Sequence, residues 1–177
     1  MGFLRFVGLM NAAIWFGAAI FYCFGAAPVL QSEALKTLIG SNNFPYYGFA
    51  IQNLVAASFF HLHVACGIVC VLHLMAEWLY FGKYPRKVWV LFILALLLAG
   101  GLQGLWVQPR LKLLHDLEHG RQARPEERQL AARGFKTWSS IAWSLDALLA
   151  LGVGFYVWRT ANPPDPMRFV SASKFRS

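Results

Sequence analysis

Along residues 48–80 an apolar run is interrupted at a helical period. Gln52, Ala56, Phe59, His63, Cys66, Cys70, His73 and Glu77 follow one another in alternating steps of four and three. At 3.6 residues per turn these eight side chains share one helix face, and Leu, Val, Ile, Ala and Phe dominate the positions around them. Polar side chains inside a bilayer are costly unless they face a partner helix or a wet cavity. The stripe therefore predicts a membrane-spanning helix with an inward polar face. Three further apolar stretches exceed the roughly 20 residues that crossing requires. Together they predict four spans, near 4–30, 48–80, 88–108 and 135–158, with Asp146 the one acid inside the fourth. The fold expected is all-α and integral to the membrane: an antiparallel four-transmembrane-helix bundle over 1–161, followed by a polar tail at 162–177.

The connections differ in character. Residues 31–47 mix Ser, Asn, Gly and Pro with aromatics and predict an interfacial loop with Tyr46 and Tyr47 at headgroup level. Residues 81–87, with Lys83, Arg86 and Lys87, predict a tight basic hairpin. The polar stretch 109–136 places Leu111, Leu114 and Leu117 on one face, and Pro125-Glu126-Glu127 has the chemistry of a first helical turn. Two short amphipathic surface helices are expected there, broken near Gly120, the second running into the fourth span. Gly100, Gly101 and Gly104, like Ala13 and Gly17, offer small-residue surfaces to a neighbouring backbone. The tail, opened by Pro163-Pro164-Asp165-Pro166, predicts extended or disordered chain.

Composition agrees with this pattern: of 177 residues, 58% are hydrophobic and 14% charged, a balance unlike that of a soluble domain. The formal charge of +8 sits at helix ends and in connections, so anionic lipid headgroups rather than nucleic acid are the expected counterpart. Cys23, Cys66 and Cys70 all fall inside predicted helices and imply no disulfide framework. The amino-terminal apolar run is longer than a signal-peptide core, and Pro28 would follow a cut after Ala27, so an uncleaved first helix is expected. Lys and Arg divide evenly between the two sides. The dense hairpin charges favour both termini on the cytoplasmic side of the membrane, expected to be an inner (plasma) membrane.

Candidate chemistry follows from depth. Counting along antiparallel helices places Asp146 level with His63, with Gln103 and Cys23 close by, and Asn11 level with His73 and Glu77. A carboxylate on one ring nitrogen fixes a histidine's tautomer, as metal-bound histidines usually require, so Asp146 with His63 is the expected pair. Thiolates beside imidazole suit copper(I) or zinc, which makes Cys66 and Cys70 candidate metal ligands. His63 and His73 lie about 15 Å apart along the axis and cannot share one ion. Ligation of haem b would need a single axial histidine, a non-histidine second ligand or a neighbouring subunit. Packing is the competing role for both cysteines, and a solvated face the competing role for His115 and His119.

The segments Trp15-x-Gly17-x-x-x-Phe21-x-x-Phe24-x-x-Ala27-Pro28, Gly104-Leu105-Trp106-Val107-Gln108-Pro109 and 133–138 carry a family likeness. The chain resembles the transmembrane protein 205-like domains, a bacterial four-helix membrane family distantly similar to CopD-type copper-resistance proteins and HemJ-type haem-associated oxidases. It departs from the His-Gly-x-Ser-x-x-x-Asn segment of that family, having Ser139-Ser140-Ile141-Ala142-Trp143-Ser144-Leu145-Asp146 instead. Three roles follow as expectations: a small binding or accessory component handling a transition metal or haem, a structural subunit of a larger membrane complex or homo-oligomer, and a HemJ-like oxidoreductase. No Walker-type loop, H-E-x-x-H or G-x-S-x-G segment occurs, so a non-enzymatic role is favoured.

Overall fold

The computed structural model describes residues 2–82, 87–120 and 123–162, so the basic hairpin and nearly all of the tail lie outside the described residues. Those described are helical almost throughout, with no strand among them. The chain runs α1 (Gly2–Ile20), a π-helical turn (Phe21–Ala26), α2 (Ala27–Leu30), α3 (Glu33–Ile39), α4 (Phe44–Phe81), α5 (Lys87–Leu102), a second π-helical turn (Gln103–Val107), α6 (Gln108–His119) and α7 (Pro125–Ala161). Four continuous helical runs, Phe3–Leu30, Phe44–Tyr80, Lys87–His119 and Pro125–Ala161, are long and apolar enough to cross a membrane.

Both π-helical turns have one local cause. A proline inside a helix lacks an N–H and crowds the carbonyl four residues back. Pro28 and Pro109 are accommodated because the residue before each donates five residues back, Ala27 N–H to Tyr22 O and Gln108 N–H to Gln103 O. Each run therefore continues past its proline with one residue taken up in the bulge. Consequently the polar stretch after Gln108 does not begin a separate helix. α6 is continuous with the third apolar run, and α7 extends the fourth by ten residues before the predicted start at 135. The gap between His119 and Pro125 agrees with the expected break near Gly120, and Glu127 accepts from Arg124 N at 3.1 Å to cap α7.

The segment expected to be a loop at 31–47 contains α3. Ser32 caps it by accepting from Leu35 N at 3.3 Å, and Gly40 ends it at φ +86. α4 likewise ends at Gly82, whose φ of +61 suits a residue without Cβ.

Contacts fix how the runs sit together. Ascending the first helical run, Leu4, Asn11, Trp15 and Tyr22 meet His73, Cys66, His63 and Phe59 in descending order on α4. Leu97, Gly100 and Gly104 likewise meet Gly67, His63 and Phe60. The core between them holds Trp15, Ile93, Leu149 and Val153, with a second cluster around Ala19, Tyr22, Ala56 and Phe59. Outward, large side chains such as Phe6, Leu54, Leu72, Leu98, Leu105, Leu148 and Leu151 are exposed on every long run. An apolar surface of that extent fits contact with lipid rather than water.

Candidate functional site

The inward face of α4 is the stripe read from the sequence: Ala56, Phe59, His63, Cys66 and Cys70 are all buried. Several of its polar atoms are engaged by neighbouring helices. Trp15 Nε1 donates to His63 Nδ1 at 2.9 Å, and His63 Nε2 lies 3.0 Å from the carbonyl of Leu96. An indole N–H can only donate, so Nδ1 is the acceptor and the ring proton sits on Nε2, directed at Leu96 O. The ring packs edge-on to Trp15, with centroids 5.0 Å apart, and occupies the space where a Cβ of residue 100 would be. Glycine at 100 is what lets α5 come this close.

Below this layer Asn11 Nδ2 donates to the carbonyl of Cys66 at 2.9 Å, and Cys70 Sγ donates to Tyr156 Oη at 2.9 Å. His73 Nε2 lies 2.8 Å from Leu4 O, its ring packing on Gly8, while its Nδ1 is buried without a partner. Asn11 is thus level with Cys66, not with His73 as expected. Glu77 is half-exposed, 4.0 Å from the His73 ring.

Above it lies the layer containing Asp146. Gln103 Nε2 donates to Asp146 Oδ1 at 3.3 Å and to Ala142 O at 3.2 Å, and Cys23 Sγ donates to Asp146 O at 3.7 Å. The three residues predicted to share this level with His63 do come together, but His63 does not join them: its two nitrogens belong to Trp15 and Leu96. The contact of Cys70 with Tyr156 explains the miss. Ten residues back on both helices, Asp146 falls beside Phe60, about one turn from His63. Both π-helical turns flank this layer and carry its residues, Cys23 on one and Gln103 on the other. Sequence reasoning overlooked that signal, which lies in Ala27-Pro28 and Gln108-Pro109 within apolar helices.

At the far end His115 is buried rather than solvated. It stacks on Phe49 with centroids 4.1 Å apart and binds Pro45 O at 2.7 Å, tying α6 to the start of α4. His119 packs beside it, with ring centroids 4.4 Å apart.

His63, the expected ligand of the upper layer, does not fit a metal or haem iron. No group of three or more His, Cys, Asp or Glu among the described residues is placed to hold a metal ion. An axial haem ligand needs a free ring nitrogen beside open space, whereas His63 is 1% exposed with both nitrogens committed. All three thiols are buried as well. N-ethylmaleimide is accordingly expected to leave Cys23, Cys66 and Cys70 unlabelled in the folded protein and to label all three after denaturation. Rapid labelling of Cys70 in the native state would contradict its contact with Tyr156.

No protein-family model, curated protein or solved structure matches this chain.

Proposed function

We propose that this chain is a small, non-catalytic membrane subunit: an antiparallel four-helix bundle whose interior polar side chains lock its own helices while its outer faces meet lipid and partner subunits. The observation that carries this is the double engagement of His63, by Trp15 on α1 and by Leu96 on α5. A ligand-binding histidine keeps one nitrogen for its ligand. Here both are used to join three helices, as Gln103 joins α5 to α7 through its hydrogen bonds to Ala142 and Asp146. The resemblance to the transmembrane protein 205-like family accords with such a bundle. The dense charges of the 81–87 hairpin favour both termini on the cytoplasmic side, and the family likeness suggests a bacterial inner membrane.

The test is purification from native membranes in mild detergent, with an absorption spectrum, metal analysis and identification of stoichiometric companions. The expected result is a colourless protein without stoichiometric copper or zinc that migrates with other membrane subunits or with further copies of itself. A Soret band lost in His63→Ala or His73→Ala, or a metal lost in Cys66→Ala, would overturn this function.

A further inference from the structure

A groove of about 520 Å³ runs along the outer side of the seam between α4 and the α5–α6 run. Its floor is glycine. The spaces left by Gly100 and Gly104 are filled from within by His63 and Phe60, but a Cβ on Gly101 would meet nothing within 4 Å. Asn53, His61, Gln108 and Lys112 line the same groove, and none of their side chains has a hydrogen bond or ion pair among the described residues. His61 is the anomaly: an exposed imidazole on the lipid-facing side of an apolar helix, where a polar group without a partner is costly.

His61 and Lys112 lean toward one level from the two helices. Helix side chains lean toward their own N-terminus, and the two helices run oppositely here. His61 therefore leans toward Ala57, while Lys112 leans from the other helix toward Gln108, which the pairing of Gly104 with Phe60 places at about that same level. From Ala57 to Glu77 is about 30 Å along α4, the thickness of a hydrocarbon core. With Glu77 and Trp78 at one boundary, the polar cluster lies at the other. The rest of the groove, to Gly100 and Val64, continues inward through apolar walls for about 10 Å, some two thirds of the depth of one leaflet.

This polarity, cationic and amide at the boundary and apolar toward the midplane, is that of an amphiphile with an anionic head. We propose that the groove holds one anionic phospholipid of the adjoining leaflet. Its phosphate takes Lys112 and the N–H groups of His61 and Gln108, and one acyl chain lies over Gly101. The proposal rests on the membrane reading of the fold but not on the absence of a cofactor.

Native mass spectrometry of the full chain, released from micelles containing equal phosphatidylglycerol and phosphatidylcholine, tests it. The expected result is one retained phosphatidylglycerol per chain. Lys112→Gln should lower the preference over phosphatidylcholine about fivefold, the effect of one lysine near an anionic surface. Gly101→Leu projects into open groove, so it should abolish retention while leaving the melting temperature unchanged, which separates loss of the site from loss of the fold. Equal retention of both lipids, retention unaffected by Gly101→Leu, displacement of the lipid by inorganic phosphate, or a dimer in which a second copy covers this face would each overturn the proposal.

Discussion

His63→Ala is expected to destabilise the protein by about 3–5 kcal/mol, the largest effect of any substitution in the stripe, through the cavity it leaves and the buried indole N–H it strands. Hydrogen bonds between membrane helices average only about 0.6 kcal/mol, so the two bonds themselves supply the smaller part. Most of the loss comes from the space between α1, α4 and α5 that the ring fills, and from Trp15 Nε1, which at 0% residue exposure has no water to turn to. His63→Phe removes the cavity from the comparison: its larger ring fills the space and deletes both bonds, so its cost, about 1–3 kcal/mol, comes from the stranded donor and from overpacking. Denaturation followed through tryptophan fluorescence measures both. Equal stability of wild type and His63→Ala would mean that the histidine does not hold the helices together.

Gly100→Ala should produce the second large effect, about 1–3 kcal/mol, because the added methyl enters the volume of the His63 ring and the well-packed core must shift. The displaced ring then loses Trp15, Leu96 or both. Its neighbour supplies the control. Gly101→Ala adds the same methyl to the same helix with nothing within 4 Å, and should be neutral or slightly stabilising through helix propensity. Paired melting temperatures check this, and an equal drop in both variants would show a general intolerance of α5 rather than a specific fit between Gly100 and His63.

The same comparison shows why glycine was only half legible in the sequence. Gly100-x-x-x-Gly104 reads as a surface for some neighbouring backbone, and spacing alone does not reveal that the neighbour is the chain's own α4. The inward direction of the stripe was legible because a period of 3.6 residues is a local property: Ala56, Phe59, His63, Cys66 and Cys70 are buried as the pattern requires.

Depth was harder to read, since it depends on where helices begin and on every residue inserted along them. Pro109 marked an end to the third span, yet the π-helical turn before it lets the helix continue, and α7 starts at Pro125. With starting points displaced, a count placed Asp146 beside His63 when its partner is Gln103. His115 escaped for a related reason. Its environment is made by Phe49 and Phe135, which are remote in sequence, so the polar stretch around it suggested water.

The most direct test of a structural role for His63 is the state of its imidazole, read from the ¹⁵N shifts of the ring in membranes at neutral pH. The hydrogen bonds from Trp15 and to Leu96 predict a neutral ring with the proton on Nε2 and an unprotonated, hydrogen-bonded Nδ1. A metal- or haem-ligated nitrogen, or a proton on Nδ1, would contradict it.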